Sequence, residues 1–456
     1  MFQNLLNIAV LGCLILFWRK YRRSFSRPVD VLLFCWAGLA MFIYLDLWGL
    51  LTLRWPLGVA MGVVGWWIAG RYGRWRLNAS VFWWLSLLGL MVLSSSWSLL
   101  PMYTLMRAGA MGLVISFAVI GVSILCIQPK GLKVIFLCTM ASALVLGPLI
   151  FGGMEMTGSS EGRYSGTQQL KATGTATVAL NFAIVMVFFA CAGARQYRLM
   201  AWAGLLLALV VIAFSGTRGT MLIGLLILPA FWASVAMGRN GAAVIGSYLV
   251  VGVVGVMTWS MLPEEKADSI LSFLRLDSVE TATSTRIEGR WDVSLPKAFE
   301  RPIFGRGFGT SRYFPEDDVV VSSYPERRDQ FEWAYTHNQY LSVFYEMGAV
   351  GLALFLVPIA LIGMRVVEVF QAPGIRATNR LMFMTMSAMW LHQVLGMLFH
   401  DGRQTIGSAS SYWFLIHSVW IWQAHRAFLS SPMRPGTRIG RRGLSSKRQW
   451  QKAEIS

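Results

Sequence analysis

Long apolar runs, separated by short polar and mostly basic connections, recur from one end of the chain to the other. Each run is about 17 residues or longer, enough as a helix to cross roughly 30 Å of hydrocarbon. The pattern predicts spans near 3–18, 30–52, 55–70, 79–100, 104–127, 134–152, 175–194, 199–215, 221–237, 241–262, 338–364, 381–399 and 412–428. The first run ends at Trp18, followed by Arg19 and Lys20. It lacks a basic leader and a small-residue cleavage site, so it reads as a retained span rather than a signal peptide. Twelve spans with both ends on one side fit the same pattern if residues 3–18 lie in the interface. The predicted fold is an all-α polytopic membrane protein of about 12–13 transmembrane helices.

One polar stretch is too long to be a simple connection. Residues 263–336 form a loop long enough for structure of its own, and its Trp, Tyr, Gly and Pro content predicts helices and turns on the membrane surface. It divides the chain into residues 1–262 with transmembrane helices 1–10, the loop 263–336, a C-terminal helical part 337–428 and a basic tail 429–456.

Composition strengthens this reading. Hydrophobic residues make up 55% of the chain and charged residues 14%, against about 25% charged in soluble domains. Mean hydropathy is +0.55. A soluble multidomain enzyme, a disordered chain and a disulfide-stapled module are excluded. The net charge of +18 is unevenly spread, because residues 263–336 hold 14 of the 22 acidic side chains and 10 of the 40 basic ones. The basic excess lies in short connections, at 19–27, 71–76, 129–133, 195–198, 239 and 365–380, and in the tail. That is the positive-inside pattern set by membrane insertion, not a nucleic-acid surface, so no nucleic-acid partner is expected. The tail also suits anionic lipid headgroups. By the same rule the connection at Pro101, residues 153–174, Gly216–Thr220, 263–336 and His400–Ser411 lie outside. The five cysteines all fall in or beside apolar runs, which implies no disulfide framework.

Arginine on the outside opposes the general charge trend and is therefore informative. Arg218 lies in Ser215-Gly-Thr-Arg-Gly-Thr220 between two apolar runs, where a guanidinium needs an anion or a watery cavity. A snorkelling helix anchor is the plainer alternative, but the glycines and hydroxyls around it favour an anion site. In the loop, Arg286 and Arg290 stand four apart, so on a helix both forks could meet one phosphate. Pairing with Glu288, Asp292 or another loop acid is the competing reading. His337 opens Thr336-His-Asn-Gln-Tyr-Leu341 where the chain re-enters the membrane. A helix N-terminus favours neutral imidazole, the form a general base requires, while capping or packing is the alternative. His400, Asp401 and Arg403 read as interfacial polar residues. His392 and His400 lack carboxylate partners for a metal, and Glu316-Asp-Asp318 reads as a solvated acidic turn. Gly305-Arg-Gly-Phe-Gly309 is a turn, since no strand and helix bracket it as a nucleotide loop requires.

In order and identity these elements resemble the O-antigen ligase and polymerase superfamily. The resemblance is carried by the Ser-x-Thr-Arg-Gly turn at Arg218, by Ser-Thr-Arg-Ile-Glu and a Trp in the loop, and by Lys-Ala-Phe-Glu-Arg-Pro-Ile-Phe-Gly-Arg-Gly-Phe-Gly309. His337-Asn-Gln-Tyr-Leu and, upstream, Trp97-Ser98, Pro101 and Arg107 complete it. It implies a GT-C-like membrane glycosyltransferase of a bacterial inner membrane, with its active site facing the periplasm. The donor it implies is a glycan on undecaprenyl pyrophosphate, and the acceptor is lipid A–core oligosaccharide or another glycan; no metal or other cofactor takes part. The family's catalytic positions map to Arg218, to Arg286 and to His337. Arg290 is an alternative to Arg286, because Trp291 follows Arg286 by five residues where the family pattern has four. With Arg290, the residues Arg107, Thr217 and Asn338 are assigned to substrate binding.

Three functions follow in order of preference. The first is a ligase moving an assembled glycan to lipid A–core with inversion, as expected for in-line attack. The second is a polysaccharide polymerase using the same donor. The third is a transporter of an anionic solute, disfavoured because few charges lie deep in the spans and no internal repeat is present.

Overall fold

The computed structural model describes residues 54–72, 79–128, 130–152, 155–156, 164–165, 172–192, 195–215, 217–236, 292–312, 338–372, 375–398 and 409–429, with scattered positions between 15 and 33. Helices dominate them. In chain order they are α1 (Arg54–Tyr72), α2 (Ala79–Leu93), α3 (Pro101–Ile115, running through a π-helical turn Ser116–Gly121 into Val122–Ile127), α4 (Gly131–Gly152), α5 (Ala172–Ala192), α6 (Arg195–Phe214), α7 (Arg218–Ala236), α8 (Asp292–Glu300), α9 (Gln339–Gln371), α10 (Ala377–Gly396) and α11 (Ala409–Leu429). Between α4 and α5 a hairpin of two-residue strands pairs Glu155 with Ser165 and Met156 with Tyr164.

The described helices are those of an all-α multi-pass membrane protein. Among the described residues, four stretches are long and apolar enough to cross a membrane: Ala79–Ser96, Pro101–Ile127, Thr175–Ala192 and Gln339–Gln371. Ten of the thirteen expected spans coincide with helices. The expected spans 3–18, 30–52 and 241–262 lie outside the described residues or touch only scattered ones.

Lipid gives apolar side chains no reason to leave it, so small residues and internal hydrogen bonds join such helices. Both devices are present. The π-helical turn of α3 presses on α1 at Gly65, where a Cβ would come within 2.3 Å of the Ser116 carbonyl oxygen. Trp390 of α10 donates to Ser418 of α11 at 3.0 Å, and Gln423 of α11 donates to Ser123 of α3 at 2.8 Å. His392, buried in α10, is 3.2 Å from the Asn181 side-chain oxygen of α5. At one end of the bundle Glu368 of α9 pairs with Arg365 at 2.8 Å and meets His425 of α11 at 2.5 Å. The opposite end, where α2 stops and α3 and α9 begin, carries the candidate site and is called the loop end below.

Candidate functional site

The site is organised by a break in α9. Gly348 has φ +63° and ψ −164°, a conformation open in practice to glycine alone. An unbroken helix would bond the amides of Ala349 and Val350 to the carbonyls of Tyr345 and Glu346. The break frees all four groups, and residues 302–307 take every one of them. Ala349 N–H donates to Pro302 at 2.7 Å and Val350 N–H to Ile303 at 3.2 Å. In return, Arg306 N–H donates to the Tyr345 carbonyl at 3.1 Å and Gly307 N–H to that of Glu346 at 2.8 Å. The loop segment is thus built into the helix like a missing turn.

The glycines of Gly305-Arg-Gly-Phe-Gly309 make this approach possible. All three have positive φ, at 67°, 106° and 85°. A Cβ on Gly305 would lie 2.4 Å from the Glu346 carbonyl carbon, and one on Gly307 would lie 2.4 Å from the Ser98 hydroxyl. The segment is a turn, as its sequence predicts.

Its other side grips the connection from α2 to α3. Phe308 N–H donates to the Ser94 hydroxyl at 3.0 Å, and its carbonyl accepts from Thr104 at 2.9 Å. Ser98 and Thr104 hydroxyls are 2.6 Å apart. Trp97 donates its indole N–H to Phe304 at 3.2 Å, with the two rings 5.7 Å apart. Pro101 starts α3 at a first-turn position where its missing N–H costs no bond. The segments around Trp97, Phe308 and Glu346, far apart in sequence, therefore form one clasp at the loop end.

Two acids secure the clasp. Glu300 forms an ion pair with buried Arg306, whose guanidinium also lies 5.7 Å from the Tyr345 ring. Glu346 is 1% exposed, and its Oε1 accepts from the Ser311 hydroxyl at 2.6 Å and the Ser311 amide at 3.3 Å. Its other oxygen, Oε2, has no hydrogen-bond partner among the described residues. Arg107 lies within electrostatic reach of Glu346, and its side-chain carbons bound the space at Gly309. Its guanidinium stands 5.9 Å from the Tyr103 ring, and its buried Nε has no hydrogen-bond partner among the described residues.

Of the residues singled out by sequence, Arg107 and Asn338 lie at the loop end. Asn338 caps α9, its side-chain oxygen accepting from the amides of Tyr340 and Leu341 at 3.0 and 3.1 Å. The capping role at this helix start belongs to Asn338, the neighbour of His337. Thr217 is buried and turned to its own chain: its amide donates to the Ser215 hydroxyl at 3.3 Å, and its hydroxyl to the Ser215 carbonyl at 3.4 Å. Arg218 is the first residue of α7. His337, Arg286 and Arg290 lie outside the described residues, as do His400, Asp401, Arg403 and the acidic turn at Glu316. Sequence reading missed Glu346, Ser311 and Thr104. A glutamate in an otherwise apolar helical run was the one available signal, since such a group must find partners.

Residues 203–356 match the O-antigen ligase family. The matched stretch runs from within α6, through α7, α8 and the clasp, to the middle of α9. Residues 94–107, which the clasp holds, precede it. The chain is also similar to a protein of Rickettsia prowazekii (strain Madrid E) named "Putative polysaccharide ligase", 25% identical over 131 residues, or 29% of each chain. A protein of the same name from Rickettsia typhi (strain ATCC VR-144 / Wilmington) is 24% identical over 131 residues, again 29% of each. The matched stretch thus spans less than a third of the length of these relatives.

Proposed function

We propose that this protein is an O-antigen ligase-type glycosyltransferase. It moves a glycan from undecaprenyl pyrophosphate to lipid A–core oligosaccharide at the periplasmic face of the inner membrane. The observation that carries the reading is the clasp: it brings two separate pieces of the family pattern, around Arg107 and around Gly305–Gly309, to the break in the helix that follows His337. The matched family and the names of the two relatives support glycan transfer of the ligase or polymerase type, and the Ser-x-Thr-Arg-Gly turn with the single long loop favours ligase.

In this reading the chemistry falls to arginines and one histidine. Breaking the glycosidic bond leaves negative charge on pyrophosphate, and fixed guanidinium groups stabilise it as it develops. Arg218 and Arg286 take that part, with Arg290 the alternative to Arg286, while Arg107, Thr217 and Asn338 line the donor. Neutral His337 accepts the proton of the acceptor hydroxyl and directs its oxygen at the anomeric carbon opposite the leaving group, which inverts the centre.

His337→Ala and Arg218→Ala are expected to abolish transfer while the protein stays folded in the membrane. Losing one oxyanion-type donor costs on the order of 2.7–4 kcal/mol of barrier. Surface glycans of cells carrying each variant, separated by gel into carrier-linked and lipid A-linked chains, provide the test. Long chains retained on the carrier and lost from lipid A–core mark a ligase. Single repeats on lipid A–core mark a polymerase, and unchanged glycans overturn both.

A further inference from the structure

Directly below the cap of α9 lies a cavity of about 30 Å³, bounded by α2, α3, α9, α11 and the end of α10. Met111, Met397, Phe414 and Leu415 contribute apolar walls. Two of its lining residues, Gln339 and Trp84, also carry polar groups, and each residue is 1% exposed. Neither the Oε1 nor the Nε2 of Gln339 has a hydrogen-bond partner among the described residues, and the same holds for Trp84 Nε1.

The backbone that carries Gln339 and the ring of Trp84 are both held in place. The Gln339 amide N–H donates to the Met397 carbonyl at 2.8 Å, and Asn338 caps the turn in front of it. The Trp84 ring is held edge-on against Phe355 and Phe414, with centroids 6.2 and 5.7 Å away. A carboxamide and an indole N–H held in a dry, apolar surround would each forfeit bonds that water supplies in the unfolded chain. Buried polar groups escape that cost through an ordered water when the space holds one and two or more bonds can be made. Here the space exceeds the roughly 10–15 Å³ that one water needs.

We propose that this cavity is a binding site for a structural water that bridges Gln339 and Trp84. The water accepts from the Trp84 indole N–H and the Gln339 Nε2, and donates to the Gln339 Oε1. It thereby links α2 to the first turn of α9, next to Asn338 and His337. The site serves an architectural role whatever reaction the loop end performs.

The test uses the full chain purified in lipid nanodiscs. A structure at a resolution that shows ordered solvent is expected to place one peak within about 3 Å of both Gln339 and Trp84. No peak, or one touching Gln339 alone, overturns the bridge. Melting temperature gives an independent sign. Gln339→Met and Trp84→Phe each lower it if a water is bound, and the double variant loses less than the sum because both singles remove the same bridge. A higher melting temperature for Gln339→Met, as expected if two unsatisfied groups leave a dry cavity, overturns the proposal, as does strict additivity.

Discussion

The clasp at the loop end and the packing of α5, α6 and α7 solve the same problem by opposite means. In the clasp, backbone groups meet backbone groups across long stretches of sequence, and positive-φ glycines let them approach. In the α5–α7 region, apolar side chains meet one another and line an open groove of about 540 Å³ with residues such as Trp202, Leu209, Met221, Leu225 and Trp232. α6 and α7 also present Leu199, Met200, Leu206 and Leu222 outward, as a lipid-facing surface does. Directional bonds permit one arrangement, whereas dispersion contacts tolerate small shifts. The protein uses the first kind where geometry must be fixed and the second where a helix has only to stay in lipid.

Breaking the clasp at Gly348 is expected to give the largest effect. An alanine there would adopt a backbone conformation reserved for glycine and place its Cβ 2.3 Å from the Ile303 carbonyl carbon and oxygen. Neither obstacle is a flexible side chain. Strain of roughly 1–3 kcal/mol adds to the clash and to the loss of bonds made by residues 302–307, so the total exceeds about 4 kcal/mol. Gly348→Ala is expected to fail to accumulate or to melt far below the native chain. Native-like melting would mean that the break does not depend on this glycine.

Glu346 gives the intermediate test. Glu346→Ala leaves the Ser311 amide and hydroxyl without their shared acceptor, at a cost on the order of 1–3 kcal/mol. Glu346→Gln keeps a carbonyl oxygen for them and should restore most of that loss. If the two variants melt alike, apolar contacts such as Trp97 on Phe304 hold the clasp, and its hydrogen bonds are secondary. If Gln restores the melting temperature but glycan transfer stays low, the carboxylate charge beside Arg107 matters for chemistry as well as for folding.

Much of the helical plan was legible because hydropathy acts along a single run. The edges shifted for local reasons. The span expected over 79–100 ends as helix at Leu93 and continues as a short 3-10 turn, Ser94–Ser96, in which each serine hydroxyl bonds back to a carbonyl three residues earlier. Helix α9 continues to Gln371, beyond the expected 364, with Arg365 and Glu368 paired one turn apart on it. The site was legible only in part. Glycines and Pro302 announce a turn at 301–309 but not its partner, because backbone-to-backbone bonds leave no side-chain signature. Asn338 directly before an apolar helix carries the mark of a cap, which a search for substrate ligands passes over. Glu346 stands alone among apolar neighbours, and nothing in its spacing points to Ser311.

The smallest effect sharpens the contrast from the other side. Gly224 of α7 faces α5, and an added Cβ would meet Leu180 Cδ1 at 3.5 Å, an ordinary contact with the end of a mobile side chain. Its φ is helical, so alanine brings no backbone strain and gains up to about 1 kcal/mol of helix propensity. Gly224→Ala should therefore leave melting within about 0.5 kcal/mol of the native chain or raise it slightly. Thermal unfolding in the same nanodiscs measures this against Gly348→Ala. A large loss at Gly224 would mean that α5 and α7 are as tightly registered as the clasp, and the division between a fixed loop end and a tolerant helical wall would not stand.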